Sequence, residues 1–223
     1  MHYQYLCIAC LAIMALFIFT ESIKQYKLAV ILKGLASLVF VILGVLSIPY
    51  CSKTGLAGNV VLGLLLGCIA DVLLNLRYVF EKKGQLIFLV GILVFLSGHV
   101  MYLLALIAEV KYYYIGLGIG VVLTALIMSY ILRVVNAKLA FKIFGVFYIA
   151  AVVMMTCVAW QNVLFHPGNG SLLFAVGAIF FLVSDIVLIL NTFTEKTRFS
   201  LRIVNLSLYY IGQLMIALSL QLL

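Results

Sequence analysis

The sequence predicts an all-α, polytopic membrane protein: a single transmembrane domain over residues 1–223, built from about eight transmembrane helices. Hydrophobic residues make up 67% of the chain and charged residues only 9%, whereas a soluble domain is closer to half apolar and a quarter charged. The apolar residues form continuous runs, which favours helices over the alternating pattern of a β-barrel. The basic residues fall between these runs in a regular order, which indicates a fixed orientation in the membrane.

Eight apolar runs are the predicted helices. Each has about 16–23 residues, and a hydrocarbon core of about 30 Å needs roughly 20 residues of helix. The first run is short, and the turn near Glu109 and Lys111 is only weakly marked. The runs cover residues 5–20, 28–48, 58–76, 86–108, 112–132, 140–161, 171–192 and 201–222.

Basic residues are concentrated in alternate loops. Twelve of the fourteen Lys and Arg residues lie in or beside the first, third, fifth and seventh loops. Because positive residues stay on the cytoplasmic side, we expect these loops in the cytoplasm and both termini on the non-cytoplasmic side. The absence of a single basic patch argues against nucleic-acid binding. The twelve residues are Lys24, Lys27, Lys33, Arg77, Lys82, Lys83, Arg133, Lys138, Lys142, Lys196, Arg198 and Arg202.

Two aspartates lie inside predicted spans: Asp71 in LLLGCIADVLLNLR and Asp185 in AIFFLVSDIVLILN. A carboxyl group is costly in a bilayer, so it usually faces a protein interior or a wet cavity and has a function. With a helix rise of about 1.5 Å per residue, both aspartates fall at a similar depth in the predicted cytoplasmic half. We therefore expect them to share a cavity. The alternative is that each pairs with a basic or hydroxyl group to hold helices together.

Two buried carboxyl groups can divide acid–base work, because different surroundings leave one protonated and the other ionised. This pattern predicts acid–base chemistry or proton movement without indicating a substrate. A zinc hydrolase is a less favoured alternative, because the three histidines are scattered and only His99 lies inside a span, which does not suit a three-histidine site. G-x-S-x-G, P-loop and H-E-x-x-H motifs are absent from the sequence. We therefore expect neither a metal nor a cofactor.

Further polar residues in or beside the spans are candidates for substrate binding. Asn75 lies four residues after Asp71, on the same helical face. Arg77 and Lys33, near the predicted cytoplasmic edge, can meet a phosphate head group, although simple snorkelling to the interface is the alternative. For His99 the alternative is a structural position in the core, with its ring nitrogens hydrogen bonded by the protein. For the tyrosines and Gln213 the alternative is hydrogen bonding between helices. The candidates are His99, Tyr102, Asn75, Tyr148, Ser184, Tyr210, Gln213, Arg77 and Lys33.

Four motifs together resemble a known family. They are GCIADVLL in the third run, FLSGHVMY in the fourth, GAIFFLVSD in the seventh and YYIGQ in the eighth. In this order the motifs resemble the YhhN-like lysoplasmalogenases, which are eight-helix membrane proteins, over roughly residues 28–220. One difference is Ala70, which precedes Asp71 where glycine is expected, and this is a small change in size.

The resemblance implies a lysophospholipid substrate drawn from membrane lipid, and hydrolysis of the vinyl ether bond of a lysoplasmalogen. The products are a fatty aldehyde and glycerophosphoethanolamine or glycerophosphocholine, and Asp71 and Asp185 are the implied catalytic pair. Vinyl ether hydrolysis needs one acid to protonate carbon and one carboxylate to stabilise the resulting cation and activate water. In a bacterial host the protein is expected in the cell membrane. A proton-coupled transporter and a non-catalytic lipid-binding protein are the alternatives.

Overall fold

The computed structural model describes residues 3–194 and 197–223, so Lys196 of the seventh loop lies outside the described residues. Within this part of the chain the regular structure is entirely helical. Eight helices are long and apolar enough to span a membrane, which confirms the predicted bundle. They are α1 (Tyr3–Ser22), α2 (Tyr26–Ser47), α3 (Thr54–Leu76), α4 (Gly84–Ile107), α5 (Tyr113–Val134), α6 (Leu139–Phe165), α7 (Asn169–Phe193) and α8 (Phe199–Ser219).

Several helices extend beyond the apolar runs, most clearly α6, which continues to Phe165 instead of stopping at residue 161. The reason is visible at Gln161. Its side chain accepts a hydrogen bond from the Gly116 amide at 3.0 Å and donates one to the Tyr112 carbonyl at 2.7 Å. Because neighbouring protein satisfies this polar side chain, the helix does not need to end where the apolar residues end.

One end of the bundle holds the chain termini and the even-numbered loops. The Ser52 hydroxyl, after α2, donates to the Leu223 carbonyl at 2.6 Å. Lys53 pairs with Glu109, in the turn between α4 and α5, at 2.6 Å. These contacts agree with the predicted alternation of loops between the two ends.

The opposite end, which we call the basic end, is where α1, α3, α5 and α7 finish. The Asn136 amide, between α5 and α6, donates to the Phe193 carbonyl of α7 at 2.9 Å. Lys138 reaches Gln85 at the start of α4, at 3.2 Å. The odd-numbered loops therefore meet here, and the assignment of this end to the cytoplasm stays a prediction.

Close helix crossings occur at glycines. A Cβ atom on Gly63 of α3 would overlap the Tyr102 ring and lie 3.0 Å from the Gly98 carbonyl of α4. A Cβ atom on Gly177 of α7 would lie 2.9 Å from the Gly212 carbonyl of α8. Small residues allow the helix backbones to approach this closely. The crossings bring α3 against α4, and α7 against α8.

Candidate active site

Asp71 is buried among hydrogen-bond donors. It is 2% exposed, and its Oδ2 atom accepts hydrogen bonds from the Ser37 and Tyr209 hydroxyls, each at 2.6 Å. Its Oδ1 atom lies 3.1 Å from the ammonium group of Lys33. The Tyr210 hydroxyl lies 3.1 Å from that of Ser37 and supports it from α8. Three donors, one of them charged, suit an ionised carboxylate.

Lys33 lies deeper than the predicted position at the membrane edge. Its side chain is 5% exposed, and besides Asp71 it donates to Asn75 Oδ1 at 3.3 Å. The physical reason is its place in α2, which begins at Tyr26 and so puts Lys33 about two turns into the helix. A buried cation needs a counter-charge, and Asp71 supplies it from α3. The pairing considered as the structural alternative is therefore present for Asp71.

A hydrogen-bond chain leads from Asp71 to α4. The Tyr209 oxygen accepts from Gln213 Nε2 at 3.4 Å. Gln213 Oε1 in turn accepts from the Tyr102 hydroxyl at 2.8 Å. Tyr102 and Gln213 thus hold the surroundings of Asp71, and each has a protein partner.

Asp185 has the opposite environment. It is 1% exposed, and its Oδ2 atom has no hydrogen-bond partner among the described residues. His99 Nε2 lies 3.9 Å from this oxygen, and the Tyr148 hydroxyl lies near the same carboxyl group. Both of these atoms also lack a hydrogen-bond partner within residues 3–194 and 197–223. Polar atoms from α4, α6 and α7 therefore converge on one point without satisfying each other.

The ring of His99 is held in a defined orientation. Its Nδ1 atom lies 2.8 Å from the Phe95 carbonyl, and because a carbonyl only accepts, Nδ1 carries the hydrogen. Neutral His99 then presents Nε2 as an acceptor toward Asp185. Because His99 Nε2 and an ionised Asp185 carboxylate would both be acceptors, a state with one proton held between these two side chains is favoured. Helical side chains lean toward each helix's N-terminus, which brings the deeper His99 of α4 toward Asp185 of the antiparallel α7.

Ser184, a predicted substrate contact, is already hydrogen bonded to Asn205 of α8. Its hydroxyl donates to the Asn205 carbonyl at 2.9 Å and accepts from Asn205 Nδ2 at 2.8 Å. The same Nδ2 also donates to the Ser184 carbonyl at 2.9 Å. This reciprocal contact fixes α7 against α8 immediately beside Asp185.

One small cavity is lined by both aspartates. Asn75, Ser184 and Tyr209 line it as well. Its volume is about 30 Å³, which is room for water but not for a hydrocarbon chain. The cavity therefore offers a place where water can reach both carboxyl groups.

A wide polar vestibule, bordered by Lys24, Arg77, Arg198 and Arg202, opens at the basic end with a volume of about 610 Å³. Arg77 and Arg202 line both the vestibule and the cavity. Arg202 is held by Glu21, with its Nε and Nη2 atoms 3.0 and 2.9 Å from the two carboxylate oxygens. Arg77 has no carboxylate at salt-bridge distance in the described part of the chain. Its guanidinium instead packs over an aromatic ring at 4.1 Å.

An apolar groove lies between α4, α5, α6 and α7, with a volume of about 60 Å³. It shares Leu74, Phe88, Phe95 and Leu188 with the cavity. Tyr148 also lines the groove, so the groove passes close to Asp185. Cavity, vestibule and groove therefore adjoin one another.

Several residues of the site were not among the predicted contacts. Ser37 follows Lys33 by four residues, and Asn205 precedes Tyr209 by four, so a shared helical face is the signal that would have found them. Glu21 carries no comparable signal. No group of three or more His, Cys, Asp or Glu side chains that could hold a metal ion occurs in the described ranges.

Comparison with known proteins gives one match. The model of a protein family described as the YhhN family matches residues 28–220. This range contains every candidate residue from Lys33 to Gln213. Neither a curated protein nor a solved structure matches the chain.

Proposed function

Because the chain belongs to the YhhN family, which includes lysoplasmalogenases, we propose that it is a membrane hydrolase that cleaves the vinyl ether bond of lysoplasmalogen-type lysophospholipids. The products are a fatty aldehyde and glycerophosphoethanolamine or glycerophosphocholine. One observation carries the proposal: two buried aspartates with opposite hydrogen-bonding environments line the same cavity. This division suits a reaction that needs one acid and one carboxylate.

Asp185 is the proton donor in this proposal. Its Oδ2 atom makes no hydrogen bond of normal geometry in the described part of the chain, although the Tyr148 hydroxyl faces the same carboxyl group. The nearest polar ring atom, His99 Nε2, is an acceptor because Nδ1 carries the hydrogen that is donated to Phe95. A protonated carboxyl group fits between such neighbours. Its proton passes to the vinyl carbon that does not bear oxygen, which leaves an oxocarbenium ion at the neighbouring carbon.

Asp71 is the carboxylate that balances this positive charge. Its three donors hold it ionised and in place. Water adds to the carbon bearing oxygen and gives a proton to Asp71, and a hemiacetal forms. The hemiacetal then collapses: the bond to the glycerol oxygen breaks, that oxygen takes the proton from Asp71, and the hemiacetal hydroxyl returns a proton to Asp185. One water is consumed and both aspartates are restored.

The vestibule suits the head group. Its border of Lys24, Arg77, Arg198 and Arg202 can attract a phosphodiester, because guanidinium groups bind phosphate oxygens in pairs. Arg77 is available for this role, since no carboxylate competes for it in the described residues. The vinyl ether bond would then lie in the adjoining cavity, beside the two aspartates.

The test is aldehyde release by the purified protein and by its Asp71→Asn and Asp185→Asn variants. General acid–base groups contribute about 10²- to 10⁴-fold to rate, so each variant should lose activity on that scale. Ester lysophospholipids of the same chain length are the control substrates and should release no aldehyde. Thermal unfolding and size exclusion of each variant separate loss of chemistry from loss of fold. Variants that fold and retain full aldehyde release would contradict the proposal.

A proton-coupled transporter is the second candidate, favoured by a polar chain that runs from the vestibule to Asp71. Arg202 contacts Glu21, Glu21 contacts Asn75 Nδ2 at 3.5 Å, and Asn75 contacts Lys33. Intramembrane acids also serve as proton relays. Proteoliposomes with an internal pH-sensitive dye distinguish the two: proton flux without aldehyde release favours the transporter, and aldehyde release without flux favours the hydrolase.

A further inference from the structure

The hydrocarbon chain of a lysophospholipid does not fit into the cavity between Asp71 and Asp185. That cavity holds about 30 Å³, which is room for about two water molecules. The vestibule is bordered by charged side chains, and an alkyl chain gains little by moving from lipid to such a surface. A lipid whose vinyl ether lies beside the aspartates therefore needs a third space for its chain.

The apolar groove provides such a space for the part of the chain next to the vinyl ether, because its volume of about 60 Å³ is twice that of the cavity; the rest of the chain would stay in lipid. Leu74, Phe88, Phe95 and Leu188 line both the groove and the cavity, so the groove begins where the reacting bond would lie. Its other walls are mostly apolar side chains of α5, α6 and α7. Helix α5 packs chiefly against α6 and makes little contact with α4. The side between α4 and α5 is therefore the one on which the helices leave the groove least covered.

Gly145 of α6 leaves the groove open. It lines the groove, and a Cβ atom built on it meets no other atom within 4 Å. A side chain added at this position therefore begins in free space at the wall of the groove. Gly118 of α5 is a matched control, because a Cβ atom there also meets nothing within 4 Å, but Gly118 is exposed and lines none of the three spaces.

We propose that the groove binds the methylenes of the alkyl chain that lie next to the vinyl ether, and that the room left by Gly145 admits them. This assignment rests on the proposed function and extends it to the place where the chain is held. It also assigns a path, since a chain lying between α4 and α5 can enter from the bilayer and an aldehyde product can return to it.

The first experiment compares Gly145→Leu with Gly118→Leu on alkenyl lysophosphocholines bearing a 1-octenyl or a 1-octadecenyl chain. Excluding two or more methylenes from an apolar site should lower kcat/KM by about tenfold or more. We expect Gly145→Leu to show this loss on both substrates, because either chain passes Gly145, and Gly118→Leu to match the wild type on both. No loss in Gly145→Leu, or a loss of the same size in Gly118→Leu, overturns the proposal.

The second experiment does not depend on turnover. A non-hydrolysable ether lysophosphocholine with a diazirine a few carbons from the ether oxygen is photolysed on the purified protein, and the labelled residues are mapped by mass spectrometry. Labelling of groove residues on α5 and α6 that is lost in Gly145→Leu and kept in Gly118→Leu supports the groove. If this labelling pattern is found in a protein that releases no aldehyde, the proposed hydrolase activity is refuted, whereas the binding of the chain in the groove is supported. Labelling elsewhere overturns the groove even if aldehyde is released.

Discussion

The ion pair between Lys33 and Asp71 makes the two side chains interdependent. Removing one partner of a buried pair leaves an uncompensated charge and destabilises a protein by about 3–5 kcal/mol. We therefore expect Lys33→Met and Asp71→Asn each to lower the unfolding temperature in detergent. The double variant Lys33→Met/Asp71→Asn should recover most of that stability, because neither charge remains.

Measuring aldehyde release separates the structural role of the Lys33–Asp71 ion pair from the proposed catalytic role of Asp71. The double variant should be folded and should still release no aldehyde, since the carboxylate is gone. Losses of stability that simply add in the double variant would show that Lys33 and Asp71 are not coupled. Recovery of aldehyde release in the double variant would remove Asp71 from the proposed mechanism.

Tyr148 and Tyr102 offer a matched pair of hydroxyl deletions. The Tyr148 hydroxyl has no hydrogen-bond partner among the described residues, whereas that of Tyr102 donates to Gln213. Removing an unsatisfied buried group costs little, while removing one partner of a buried hydrogen bond costs about 1–3 kcal/mol. We expect Tyr148→Phe to keep its unfolding temperature and lose at least about tenfold in kcat, and Tyr102→Phe mainly to lose stability. The reverse pattern would make Tyr148 a structural residue.

At this scale the sequence predicted the two aspartates and named Lys33 and His99 as candidates, but it did not predict which side chain would lie beside which aspartate. Asp71 and Asp185 stood out because a carboxyl group inside an apolar run is costly wherever it points. The depth of Lys33 could not be predicted in the same way. A lysine near a helix end either extends to the interface or pairs inward, and the choice depends on Asp71 and Ser37 lying across the contact of α2 with α3.

The contact between α3 and α4 provides a test at the level of helices. Gly63 faces the Tyr102 ring, so Gly63→Ala forces the ring to move and pushes the two helices apart. Gly58, earlier in α3, has no atom within 4 Å of its added Cβ, and alanine favours a helix over glycine by about 0.5–1 kcal/mol.

We expect Gly63→Ala to lower the unfolding temperature and reduce aldehyde release, because Asp71 lies on the same helix. Gly58→Ala should match or exceed the wild type in both measurements. Similar behaviour of the two variants would mean that the close approach of α3 and α4 does not limit stability.

The helices themselves were predictable because hydrocarbon thickness sets their length and unpaired backbone groups are not tolerated in lipid. Their ends were less predictable. Apolar runs mark only where side chains prefer lipid, and α6 continues to Phe165 because Gln161 finds partners in α5 and immediately before it. Such partners belong to another helix and leave no trace in the local sequence.

For the whole molecule, the pattern of basic loops predicts orientation. We expect the basic end in the cytoplasm. The test uses single cysteines, Lys82→Cys and Gly168→Cys, in a background whose five native cysteines are replaced by alanine. A membrane-impermeant maleimide on intact cells should label Gly168→Cys, and should label Lys82→Cys only after permeabilisation. Labelling in the opposite order would invert the predicted topology.

The pairing of Lys33 with Asp71 also has a consequence for biogenesis. On insertion scales a lysine or an aspartate at the centre of a helix opposes entry from the translocon by about 2.5–3.5 kcal/mol. Here the two charges belong to consecutive helices, α2 and α3. If these helices leave the translocon together as a hairpin, the charge of Lys33 is neutralised by the segment synthesised after it, and that of Asp71 by the segment synthesised before it. The Asp71 carboxylate would then reach the bilayer interior already accompanied by its counter-ion.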